Sequence, residues 1–191
     1  MGRWEPNARG RLAQAALELY AEQGYEQTTV GDITARAGLT ERTFYRHFAD
    51  KREVLFFGTE MAKDLLTRTV ADAPADASAM DAVGAALEAL AAEFQENADR
   101  VRTRNTVVSA HAELRERELI KLAGLAGAMA EALRARGTAD PAASLAAETG
   151  IAVFKVAFAR WIDDPGRPDL PGVLRASTRE LRTVLTEHAS A

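Results

Sequence analysis

Apolar side chains recur at helical spacing along nearly the whole chain, and the first such run starts at Ala8. Leu12, Ala16 and Leu19 face one way up to Gln23, and Gly24 ends the helix. A short second helix is opened by a capping box of Thr29 and Asp32, with Val30, Ile33 and Ala37 on one face. Gly38 supplies the residue that takes positive φ where this helix must stop. Thr40 caps a third helix at once, and Leu39 is placed to pack on Phe44 as a hydrophobic staple. Phe44 and Phe48, four apart, point inward. Two helices joined by a tight glycine turn over residues 28–51 have the geometry of a helix-turn-helix.

Beyond it, Asp50 and Glu53 form a further capping box that predicts a fourth helix from Lys51 to about Ala71, ahead of Pro74. Ser78 opens a fifth, where Val83, Leu87, Leu90 and Phe94 keep the 3.6 period. A break near residues 97–99 leads into a short sixth helix, and residues 113–136 make a long seventh closed by Gly137. Asp140 as cap and Pro141 at the first helical position start an eighth that runs to Asp164. The ninth covers about Leu170 to His188. The strand-like cluster IAVFKV lies in a run too long for a strand, and Ile151, Phe154 and Phe158 keep a helical rhythm. The pattern predicts an all-α fold of about nine helices, three in an N-terminal domain over 1–55 and six in a second domain over 56–191.

The polar face of the third helix carries the candidate chemistry. Arg42, Tyr45, Arg46 and Ala49 follow i, i+3, i+4, i+7, with Thr43 adjoining. Arginine forks pair with guanine O6 and N7, and threonine and tyrosine hydroxyls suit phosphates or base edges. The other reading of such a face is a solvated, charged surface. Lys51 and Arg52, at the expected start of the fourth helix, oppose its macrodipole; a phosphate lying opposite would account for that placement. Residues 36–52 hold Arg36, Arg42, Arg46, Lys51 and Arg52 against Glu41 and Asp50, a local +3 in a chain of net charge −4. Positive charge is therefore concentrated at the motif, which favours selective over indiscriminate binding of nucleic acid.

With LELYAEQGYEQTTV, DITARAGLT, FYRHF and DKREVLF in succession, residues 9–56 resemble the N-terminal domain of the TetR family of bacterial transcriptional regulators. The similarity covers about the first third of the chain. Thr34 departs from it, standing where the family usually has alanine. The resemblance implies that Thr29, Tyr45, His47 and Lys51 occupy phosphate-contacting positions. It places Thr40, Glu41, Arg42 and Thr43 where residues vary with operator sequence. It further implies a homodimer on a palindromic double-stranded DNA operator, most often as a repressor. A small effector would sit among the fourth to seventh helices, with Phe57, Met61, Leu65, Leu90, Phe94, Val107 and His111 as candidate lining. Arg104, clustered with Arg100 and Arg102, would meet an anionic group. The same residues would serve equally as core, and the arginines as a solvated face. The stretches ELRERELIKLAGLAGAMAEALRARG and AAETGIAVFKVAFARW resemble regulators of the mycofactocin-regulator type, which implies an apolar or acyl effector.

Pairing of two copies is also suggested by the residues. Ile151, Phe154, Phe158, Trp161 and Ile162 face one way and Val153 and Val156 widen the apolar surface beyond what a lone surface helix buries. With Leu174, Leu181 and Leu185 on the last helix, they form the expected dimer interface; the alternative is a core within one chain. The family pairs through its last two helices.

Composition narrows the remaining classes. At 191 residues the chain is long enough for a core without staples, and it has no cysteine for disulfides or thiolate metal sites. The opening MGRWEPNARG lacks an apolar h-region, so no secretory signal is expected. The run Gly150 to Phe158, interrupted by Lys155, falls short of a membrane span. A cytoplasmic protein without membrane partner is the expectation. His47, His111 and His188 are far apart, and GxSxG, P-loop and GxGxxG patterns are missing, so neither a cofactor nor an enzyme is expected. Gly124 and Gly127 inside an apolar helix suggest close helix packing. Competing readings are a helical small-molecule-binding or adaptor protein without sequence-specific DNA binding, and a small-molecule-processing enzyme.

Overall fold

The computed structural model describes residues 7–164, 166 and 168–186. Nine α-helices account for most of the described residues: α1 Ala8–Gln23, α2 Val30–Ala37, α3 Glu41–His47, α4 Thr59–Asp72, α5 Ala79–Glu96, α6 Ala98–Ala110, α7 Ala112–Ala135, α8 Ala142–Asp163 and α9 Leu170–Thr186. The fold is all-α. The chain divides into two compact units, Met1–Thr59 with Asp99–Glu118, and Glu60–Ala98 with Leu119–Ala191. The first unit thus extends past residue 55 and takes in residues 99–118, because Val107, Val108 and Leu114 are buried in its core.

Local signals place the helices of the first unit. Thr29 Oγ1 accepts from the Asp32 amide at 3.1 Å, and the Asp32 carboxylate accepts from the Thr29 amide at 2.8 Å, closing the capping box. Gly38 ends α2 at φ 64°. Thr40 caps α3 through the Thr43 amide. Phe44 and Phe48 are buried with Leu12, Leu19, Tyr20 and Ile33.

The start of the fourth helix differs from expectation. The Asp50 carboxylate does cap, accepting from the amides of Arg52 and Glu53 at 2.8 and 3.0 Å. The turn it caps is a 3-10 helix, Glu53–Phe56, and α4 begins only at Thr59. Val54, Leu55 and Phe56 are all buried. Three residues per turn spread three successive side chains around the axis, which suits this segment inside the core.

In the second unit α5, α8 and α9 pack on one another. A Cβ at Gly150 of α8 would lie 2.3 Å from Val83 Cγ1 of α5, so glycine is what permits this approach. Ile151, Phe154, Trp161 and Leu174 are between 0 and 6 % exposed within the single chain. They are core residues, which corrects the expectation that they form the dimer interface. Phe158 and Leu181 are half-buried and Leu185 is 69 % exposed. By length and composition α8 would reach across a membrane, contrary to the reading of its central run, yet its buried face serves this core.

Two smaller expectations also change. Pro141 is itself the N-cap of α8, without a side-chain cap, because the Asp140 carboxylate is taken by Arg134 and Ser144. Gly124 and Gly127 are exposed, and a Cβ on either would meet nothing within 4 Å, so neither marks tight packing. His188 lies outside the described residues.

Candidate nucleic-acid interface

Burial of Phe44 and Phe48 turns the opposite side of α3 outward. Glu41, Arg42 and Tyr45 are exposed, Tyr45 by 57 %. The Tyr45 ring stands edge-on to Phe44 at 5.4 Å, which fixes its base while leaving its hydroxyl in solvent. Arg42 makes no hydrogen bond or ion pair among the described residues. Thr40 and Thr43 hydroxyls lie 3.1 Å apart, and Arg46 Nη2 is 3.4 Å from His47 Nε2.

Arg9, on the first turn of α1, was not expected here. Its guanidinium lies 5.5 Å from the centre of the Phe48 ring, is exposed and has no acid partner among the described residues. The sequence signal was present: α1 carries no acid in its first turn, where the macrodipole favours one. His47 records the resulting field. Partial burial, then the charges of Arg46 and Arg9, hold its pKa below the ordinary value of 6.5.

Three cations expected to face DNA are otherwise engaged. Lys51 Nζ donates to the carbonyls of Tyr25, Glu26 and Thr28 at 2.9, 3.3 and 3.1 Å, and lies over the Tyr25 ring at 4.4 Å. All three ammonium protons have acceptors, and Lys51 precedes the 3-10 turn and α4, so the macrodipole argument does not apply to it. Arg52 pairs with Asp50 at 2.8 Å and Glu113 at 3.5 Å. Arg36 grips Glu22 with both nitrogens, at 3.0 and 2.7 Å, with Glu18 at 3.5 Å. The local +3 is therefore largely compensated inside the first unit. Among the described residues of this surface, Arg9, Arg42 and Arg46 are the guanidiniums left facing outward without an acid. Thr29 spends its hydroxyl on the Asp32 box.

The candidate effector residues are divided between the two units. Phe57, Arg104, Val107 and His111 belong to the first unit, and Met61, Leu65, Leu90 and Phe94 to the second. Arg104 is paired with Glu118 at 2.6 Å and donates to the Leu55 carbonyl. Arg100 lies over the Phe57 ring at 4.8 Å. Leu90 is sealed in the core, Met61 is 66 % exposed, and Phe94 packs on Phe154 and Phe158. A cleft of about 20 Å³ lined by Val83, Leu87, Gly150 and Leu174 has room for a water, not an effector.

Residues 12–56 match the family described as bacterial regulatory proteins, tetR family. The chain is 35 % identical over 82 residues to the HTH-type transcriptional regulator TcmR of Streptomyces glaucescens, covering 43 % of this chain and 36 % of that one. It is 27 % identical over 169 residues to a protein named as the mycofactocin biosynthesis transcriptional regulator MftR of Mycobacterium tuberculosis, covering 86 and 84 %. The chain thus spans about a third of TcmR but most of MftR. Among solved structures, SmeT in a triclosan complex aligns with TM-score 0.64 at 24 % identity, over 91 % of this chain and 90 % of that one. FadR of Bacillus subtilis in complex with stearoyl-CoA aligns with TM-score 0.63 at 19 % identity, over 90 and 96 %. Those structures share the fold. The N-terminal match, the curated relatives and the helix-turn-helix geometry agree: this chain carries the N-terminal domain of the TetR family of transcriptional regulators.

Proposed function

We propose that the protein is a homodimeric, ligand-responsive repressor that binds a palindromic operator through α2 and α3 and releases it when a small effector binds. The observation that carries this reading is the asymmetry of α3. Its aromatic side is locked into the core, while Arg42 and Tyr45 face outward with no hydrogen-bond or ion-pair partner among the described residues. A charged group left unpaired on a short, firmly held helix suits a surface that pairs with something else. In this reading Arg42, with Glu41, Thr40 and Thr43, reads base edges. Arg9, Tyr45, Arg46 and His47 hold phosphates, and the protein acts in the cytoplasm.

Two-fold pairing supplies two such helices for two half-sites about one or more helical turns apart. The outward apolar residues Leu145 and Val156 of α8, with Val184 and Leu185 of α9, between 55 and 69 % exposed, support a dimer through those helices. An apolar or acyl effector is supported by the likeness to the stearoyl-CoA complex of FadR and the triclosan complex of SmeT. It would act by favouring a geometry that misplaces the recognition helices.

A gel-shift titration with the protein's own upstream DNA tests the reading. Saturable binding that falls steeply with salt and outcompetes scrambled DNA is expected. Equal affinity for both DNAs, or none for either, would reject it.

A further inference from the structure

Tyr25, three per cent exposed, is held on three sides, and none of the roles assigned above uses it. Its carbonyl takes one of the Lys51 protons at 2.9 Å. Its ring meets Tyr20 edge-on at 5.2 Å and the imidazole of His111 at 4.8 Å. Its hydroxyl donates to Glu113 Oε1 at 3.1 Å, and Glu113 faces Arg52 at 3.5 Å. Burial and the Glu113 carboxylate push the phenol well above its ordinary range, so it remains a donor.

Both ends of this contact are placed where motion would matter. The chain passes between the two units at Thr59/Glu60, Ala98/Asp99 and Glu118/Leu119. Two of those crossings frame a helical hairpin whose joint is a single residue, His111, between the end of α6 at Ala110 and the start of α7 at Ala112. A one-residue joint between two helices absorbs a change in either as a change of its own backbone angles. On the other side, the loop from Gly24 runs through Tyr25 to buried Thr28 and then to Thr29, the cap of α2. Lys51 ties the carbonyls of that loop together. The loop is thereby stiff, and a shift of Tyr25 must move the opening of the helix-turn-helix rather than dissipate.

We propose that Tyr25 and Glu113 are positioning residues that link the α6–α7 joint to the N-terminus of α2, so that DNA affinity is adjusted through the α1–α2 loop. The proposal rests on the DNA-binding reading and adds the route by which that binding is regulated. A contact serving only stability would shift the melting temperature and leave affinity unchanged in samples kept well below it. The link also predicts that the two residues act as one.

The test compares Tyr25→Phe, Glu113→Ala, Glu113→Gln and the double variant carrying both Tyr25→Phe and Glu113→Ala, all in the full chain, using its upstream DNA and hydrogen exchange. Tyr25→Phe and Glu113→Ala are each expected to change DNA affinity by about tenfold at a temperature where both are folded, and the double variant by no more than either alone. Glu113→Gln, which still accepts from the phenol, should recover most of the wild-type affinity. Amides of residues 26–32 should exchange faster in the first two variants. Wild-type affinity and exchange in folded Tyr25→Phe and Glu113→Ala, or strictly additive effects, would overturn the link while leaving DNA binding intact. A wild-type protein that binds no DNA would overturn both.

Discussion

The ammonium of Lys51 lies 2.9 Å from the carbonyl oxygen of Tyr25 and 4.4 Å from the centre of the same residue's ring. One cation thus closes the loop between α1 and α2 and caps an aromatic face. Lys51→Met should cost about 1.5–3 kcal/mol in urea denaturation, the range for hydrogen bonds to a charged group. The salt dependence of DNA binding should keep its slope. Unchanged stability with a slope reduced by about one would return Lys51 to the phosphate backbone.

Arg9 and Arg36 offer a matched contrast between an outward cation and a compensated one. Arg9→Ala is expected to weaken binding to all DNA sequences alike and to flatten the salt slope by about 0.9, one phosphate's worth. Arg36→Ala removes a guanidinium already held by Glu22 and Glu18, so that slope should not move. Salt titrations of the two variants side by side decide the assignment.

His47 is expected to make DNA binding pH-dependent. In the free protein its pKa is lowered by burial and by the charges of Arg46 and Arg9. A phosphate beside it would raise the pKa, so complex formation takes up a proton and affinity should increase as pH falls towards and below 6.5. The effect on folding has the opposite sense. A folded-state pKa below the unfolded one means the native state binds fewer protons, so the His47 contribution is favourable above 6.5 and lost as pH falls through the lower native value. His47→Asn should remove both dependences; an affinity that stays flat with pH in the wild type would place the imidazole away from the backbone.

Phe154 and Val156, two positions apart on α8, separate core from outer surface. Phe154 is 5 % exposed and Val156 is 55 % exposed. Phe154→Ala should destabilise by about 3–5 kcal/mol through the cavity it leaves. Val156→Glu should leave the folded monomer nearly as stable and convert dimers to monomers in sedimentation. A dimer that survives Val156→Glu, Leu185→Glu and their combination would move the interface elsewhere.

Much of this was legible from residue order, because caps and glycine stops act within a few positions. Thr29 with Asp32, Gly38, Thr40 and Ser78 each did locally what their chemistry requires. The inward aromatic pair of α3 followed from its spacing for the same reason. What the order of residues hid was the partner of each charge. Arg36 meets Glu22 across fourteen positions, Lys51 meets Tyr25 across twenty-six, and Arg104 meets Leu55 across forty-nine. Only the fold brings those together, so a cluster of cations read as free was mostly spoken for. The same holds for α8, where apolar width signalled a partner surface but α5 and α9 of the same chain cover most of it.

Selection of binding sites from randomised DNA decides whether the outward side of α3 reads a duplex. The wild-type protein should enrich an inverted repeat. Arg42→Ala should enrich the same repeat with one position per half-site relaxed, a loss of about 1–3 kcal/mol per specific pair. No enrichment by the wild type, or an identical motif from Arg42→Ala, would mean that this side of α3 does not read base edges.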